Sequence, residues 1–314
     1  MTTLLSFRDN VKTFLGHYDF IVTPILKGIF AFFLLLMLNN QMGYFAALDN
    51  VVLLLGIACV CAFLPSEMLA GIGYVIVVLH SMKVSIEVGL LAVALILIFY
   101  FAYMRFSPKT GIIALVIPMC YTLHIVYAIP IVLGVLVGPV AIVPAVFGVI
   151  LYYYQTGLVD VSNMLATATE DEAVQGYQYI IALLVDNKFM LLTIVAFACV
   201  ILITYFIYRL SFSNSWIVAI VVGGLLNVVM FLAGSVTLAV KVELSSILLG
   251  SLVGILIAVV LQFCKGIVDY QRTEILQFED DDYYYYVKAV PKLSVSGMNK
   301  SVKHINSKTH NKME

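Results

Sequence analysis

Six ionisable residues fall inside or at the edges of long apolar stretches: Glu67, His80, Glu87, His124, Lys241 and Glu243. A charge at membrane depth is costly, so such residues are hypotheses for substrate, ion or proton handling. Glu67, Glu87, Lys241 and Glu243 lie near stretch ends, where ordinary interfacial solvation is the simpler account. His124 sits deeper, between Tyr121 and Tyr127, in a segment that also holds Pro130. Cavity lining or proton handling there competes with a hydrogen-bonded structural role. Asn227 lies mid-stretch behind Gly223 and Gly224, a setting that favours hydrogen bonding between helices over ligand contact. The candidate path is therefore Tyr121, His124, Tyr127, Pro130 and Asn227.

No catalytic constellation accompanies these residues. His-Glu-x-x-His, Gly-x-Ser-x-Gly and Gly-x-x-x-x-Gly-Lys are absent, as are paired acids within an apolar stretch. Cys59, Cys61, Cys120, Cys199 and Cys264 lie within or at the end of apolar runs, with no Cys-x-x-Cys and no histidine at ligand spacing. They read as small hydrophobes. The expectation is a non-enzymatic protein with no metal and no cofactor.

The elements that must carry these residues follow from composition. The chain is 63% hydrophobic and 11% charged, against roughly 25% charged in soluble domains. No water-soluble fold of 314 residues hides that much apolar surface, so lipid is the expected solvent. The net charge of −1 gives no basic balance for nucleic acid. Residues 1–19 place Leu4, Phe7, Val11, Phe14 and Tyr18 at helical spacing, an amphipathic interfacial helix without a signal-peptide pattern. Residues 20–265 read as a transmembrane bundle. Apolar spans are predicted over 21–38, 51–64, 66–82, 84–104, 189–208, 216–236 and 244–263. The apolar segment 111–154 is broken by Pro118, Pro130, Pro139 and Pro144, which points to half-helices and a re-entrant turn. Residues 155–187 read as an acidic external loop, in which Ser162 or Asn163 caps a short helix.

Lysine and arginine in short loops mark the cytoplasmic side. Arg8, Lys12, Lys27, Arg105, Lys109, Arg209 and Lys265 then lie inside, with both termini. This requires an odd number of crossings in 111–154. One crossing plus a re-entrant hairpin gives eight spans, and three short crossings give ten. Lys83 is the discordant charge. The expected fold class is an all-α polytopic transmembrane helix bundle with a polar C-terminal tail.

That tail, 266–314, holds the most specific string. Residues 267–276 can extend the last helix. Phe278, Glu279, Asp280, Asp281, Asp282, Tyr283, Tyr284, Tyr285 and Tyr286 then join an acidic run to four tyrosines. Tyrosine and valine favour strands, so 283–290 can add an edge strand to a cytosolic or membrane partner. After Pro291 the composition reads as disordered. Phe278–Lys292, with Tyr18–Tyr44 containing Pro24, Lys27 and Gly43-Tyr44, resembles a group of uncharacterised multi-pass membrane proteins from anaerobic Gram-positive bacteria. The resemblance implies a bacterial plasma membrane location and no mechanism. Two functions remain open: a non-enzymatic scaffold or complex subunit that recruits a partner through the tail, and a transporter with its path at 111–154.

Overall fold

The computed structural model describes residues 11, 14–165, 175–211, 214–265, 274–279 and 284–289. They divide into two units, Asp19–Lys265 and the two terminal regions. The larger unit contains eleven α-helices among the described residues: α1 Asp19–Met42, α2 Val51–Phe63, α3 Ser66–Val84, α4 Ile86–Phe99, α5 Ile113–Thr122, α6 Ile129–Leu136, α7 Ile142–Leu165, α8 Gln175–Asp186, α9 Lys188–Tyr208, α10 Ser215–Leu238 and α11 Leu244–Lys265. Seven of these are long and apolar enough to cross a membrane: α1, α3, α4 with the π turn Tyr100–Met104, α7, α9, α10 and α11. They present large apolar side chains outward, Phe20, Ile86, Phe206 and Leu249 among them. Such a surface is compatible with a lipid bilayer and with no aqueous environment.

Breaks between helices follow from local chemistry. Pro65 separates α2 from α3, and the Asn50 side chain caps α2 by accepting from Val52 N–H at 3.0 Å. Asn187 caps α9 in the same way, accepting from Met190 N–H at 2.9 Å. Pro118 does not break α5 but lies within it. Its missing N–H leaves the Ala114 carbonyl without a helical donor. That carbonyl abuts α7, where a Cβ on Gly148 would lie 2.9 Å from it.

Long-range hydrogen bonds fix which helix ends share a face of the unit. Tyr103 Oη donates to Val140 O at 2.5 Å, Lys265 Nζ to Leu136 O at 2.8 Å, and Gln262 Nε2 to Tyr208 Oη at 3.0 Å. The C-terminal ends of α4, α6, α9 and α11 therefore lie with the start of α7. The stretch between Arg105 and Pro139, α5 and α6 included, leaves and returns at one end. Helices α5 and α7 form the spine. Ala114, Leu115, Leu151 and Leu158 pack towards α1, α3, α4 and α8. Ile117, Cys120, Ala145 and Val149 pack towards α9, α10 and α11.

Three expectations need correction. The predicted acidic loop 155–187 is helical through Leu165 and again over Gln175–Asp186. The apolar stripe Tyr154, Leu158 and Val161 continues at helical spacing and is buried, so Ser162 and Asn163 lie inside α7 rather than capping a new helix. Glu274–Leu276 are strand, not an extension of the last helix; the rest of the predicted extension, 267–273, lies outside the described residues. The larger unit is the expected all-α helix bundle. In the second unit, strand β1 (Glu274–Glu279) pairs antiparallel with β2 (Tyr284–Ala289), with Phe278 opposite Tyr285 and Leu276 opposite Val287. The expected edge strand is therefore partnered first by the chain itself. Of the predicted amphipathic helix, 14–17 is helical and the remainder falls largely outside the described residues. Asp280, Asp281, Asp282, Tyr283 and Pro291 also lie outside them, with the predicted disordered end.

Candidate functional site

None of the predicted path residues lines the three lateral grooves formed by α1, α2, α3 and α4. Helix α5 closes on a Schellman motif: His124 N–H bonds Tyr121 O at 3.0 Å and Ile125 N–H bonds Cys120 O at 2.9 Å. His124 occupies the left-handed position of this turn, with φ 57°, and is exposed. It closes a helix terminus. Pro130 is buried in the first turn of α6, where its ring fits and its missing N–H is not needed.

Tyr121 stacks on Tyr152 at 3.8 Å between ring centroids. Its hydroxyl is buried without a hydrogen bond of normal length and angle, with Thr193 and Tyr153 as polar neighbours. Tyr127 packs edge-on against Phe231, with centroids 4.9 Å apart. Asn227 is fully buried on α10. Its Nδ2 donates to Tyr127 O at 3.0 Å and to Ser251 Oγ at 2.9 Å, tying α10 to the turn before α6 and to α11. This is the helix-joining role.

Glycines bring these helices into close contact. A Cβ at Gly254 would lie 2.7 Å from Ala128 Cα, one at Gly134 2.8 Å from Thr204 Cβ, and one at Gly138 2.7 Å from the Tyr205 ring. Buried polar atoms remain unpaired around this packing, including both amide atoms of Gln155, Thr204 Oγ1 and Asn227 Oδ1.

The acids flagged in the sequence occupy helix starts. Glu67 and Glu87 lie in the first turns of α3 and α4, with Ser85 Oγ hydrogen-bonded to Glu87. Glu243 precedes α11 and accepts from Ser246 Oγ at 2.7 Å. Carboxylates there meet the positive end of the helix dipole and reach water. Lys241, in the same α10–α11 connection, is exposed.

His80 differs from these. It is fully buried, and its Nδ1 accepts from the backbone N–H groups of Tyr44 at 3.1 Å and Phe45 at 3.2 Å. A nitrogen that accepts carries no proton, so this imidazole is neutral with its hydrogen on Nε2. The α1–α2 connection is thereby pinned to α3. Lys83 lies over the Phe45 ring, 5.5 Å from its centroid. In the sequence His80 stands only as one of six candidate ionisable residues, with no role of its own. A pair of backbone donors 36 and 35 residues away leaves no local signal.

Among the described residues no group of three His, Cys, Asp or Glu could hold a metal ion. No family model matches the chain, and no curated protein or solved structure matches it.

Proposed function

We propose that the protein is a non-enzymatic scaffold or complex subunit of a bacterial plasma membrane, recruiting a protein partner through its C-terminal hairpin. The observation that carries this reading is the pairing of β1 with the tyrosine-rich β2. Its register puts residues Leu276, Phe278, Tyr285 and Val287 on one face, and Tyr285, Tyr286 and Val287 are exposed. An isolated two-stranded hairpin is marginal in water, so further strand pairing or an apolar contact would stabilise it.

The proposed topology has eight crossings. The thirteen residues of α2 serve as a short eighth beside the seven longer helices. Helices α5 and α6 form a re-entrant hairpin, since ten and eight residues rise only about 15 Å and 12 Å of a hydrocarbon core of about 30 Å. Supporting the cytoplasmic placement of both ends of the bundle, Lys27, Arg105, Lys109, Arg209 and Lys265 fall at one end, against Lys83, Lys188 and Lys241 at the other.

A transporter is the second reading, favoured by the unpaired polar atoms of Gln155, Thr204 and Asn227. The glycine-tight packing at Gly134 and Gly254 weighs against a wide path there. Photo-crosslinking in cells separates the two. Tyr285→p-benzoylphenylalanine in the full chain is expected to yield one discrete protein adduct, lost when Val287→Asp or Val287→Lys puts a charge on the same face. No adduct, or adducts indifferent to these substitutions, would rule out the scaffold reading.

A further inference from the structure

Helices α3 and α4 are joined at a tight turn. Around Ser85 they touch: a Cβ on Gly89 would lie 2.9 Å from Met82 Cα. Towards their other ends they splay, and the π turn Tyr100–Met104 widens the last turn of α4. The result is a wedge-shaped groove of about 850 Å³. Its walls include Gly71, Val75 and Leu97, its floor is the buried Tyr74, and its mouth carries Glu67 from α3 and Arg105 after α4. The floor is rigid: Tyr74 Oη donates to Gly111 O at 2.7 Å, and its ring packs against Phe99 and Phe147.

A groove open sideways to hydrocarbon does not stay empty, because bare walls forfeit their dispersion contacts. Two other lateral grooves, between α1 and α2 and between α2 and α3, have no charged lining residue. Any acyl chain fills those equally well. The α3–α4 groove adds one cation and one anion at the level where headgroups lie, and among the described residues neither charge has an ion-pair partner. Tyr100, half-exposed beside them, is the type of residue that anchors at the interface.

We infer that this groove is a binding site for a zwitterionic phospholipid bearing a primary ammonium. One acyl chain lies along Val75 and Leu97. Arg105 holds the phosphate, and Glu67 accepts hydrogen bonds from the ammonium. An anionic headgroup would satisfy Arg105 but face the Glu67 carboxylate. A quaternary ammonium would offer that carboxylate no donor.

The test is native mass spectrometry of the full chain released from nanodiscs containing dioleoyl phosphatidylethanolamine, phosphatidylcholine and phosphatidylglycerol in equal amounts. The expected result is one retained phosphatidylethanolamine, preferred over each competitor by about fivefold, the size of one charge-assisted contact near a surface. Glu67→Gln should abolish the preference while total lipid retention persists. Leu97→Trp should reduce retention itself, since Leu97 lines this groove and neither of the other two. Val93→Trp, at a position that likewise lines this groove alone, is the second filling variant, should the first fail to fold. Equal retention of the three lipids, preference for phosphatidylglycerol, or retention unchanged by filling the groove would overturn the assignment. So would a chain dimer occupying the face in place of lipid.

Discussion

The side chain that best explains the packing of the second half of the bundle is Asn227. One amide nitrogen bridges Tyr127 O and Ser251 Oγ, so a single residue holds α10 against two neighbours. Hydrogen bonds between membrane helices contribute modestly, because the alternative states also find partners. Asn227→Leu is therefore expected to lower stability by about 1 kcal/mol, read as a fall in thermal midpoint in detergent. Asn227→Ser keeps a donor but cannot reach both acceptors, and should fall between. The role was legible in the sequence because the residue sits behind Gly223 and Gly224 in an apolar run. The role of His80 was not, since its acceptor function depends on a chain reversal at Gly43, where φ is +63°. On α8, burial and then the Asp160 carboxylate, to which the Tyr179 hydroxyl donates at 3.2 Å, push that phenol up.

At the level of elements, proline and glycine content marks the second break in 111–154, where Gly138 is left-handed (φ 83°) and Pro139 opens the next turn, but not the first. Pro118 is tolerated inside α5. The first break falls instead at the left-handed His124, where the Schellman bonds close the helix. Sequence types alone give no reason for histidine there, since glycine or asparagine is the usual occupant. It follows that His124→Gly should stabilise the protein by about 1 kcal/mol, whereas His124→Val should destabilise it by a similar amount. Thermal midpoints of the two variants check this. A histidine serving a transport path would show the opposite pattern, with Gly and Val both impairing activity and neither raising stability. The tail illustrates the complementary case. Strand propensity identified β2 correctly, but its mate β1 was masked by a helix-compatible reading of Glu274–Leu276, where pairing overrides local preference.

For the whole molecule, hydropathy locates six of the seven long helices to within a few residues, because a hydrocarbon solvent demands about 20 apolar residues per crossing; it misses α7, whose end over residues 155–165 reads as loop. What hydropathy does not encode is how the interrupted segment returns. Hydrogen bonds from Tyr103 to Val140 and from Lys265 to Leu136 supply that, bringing the ends of α4, α6 and α11 together. Together with the bond from Gln262 to Tyr208, they gather Arg105, Lys109, Arg209 and Lys265 at one end. Cysteine accessibility in sealed, oriented vesicles tests this arrangement most directly, in a background where the five native cysteines are alanine. Single cysteines replace Lys83, Arg105, Arg209, Lys241 and Tyr286 in turn. The account predicts labelling of Arg105→Cys, Arg209→Cys and Tyr286→Cys from the cytoplasmic side, and of Lys83→Cys and Lys241→Cys from the opposite side. Labelling of Arg105→Cys and Arg209→Cys from opposite sides would contradict it.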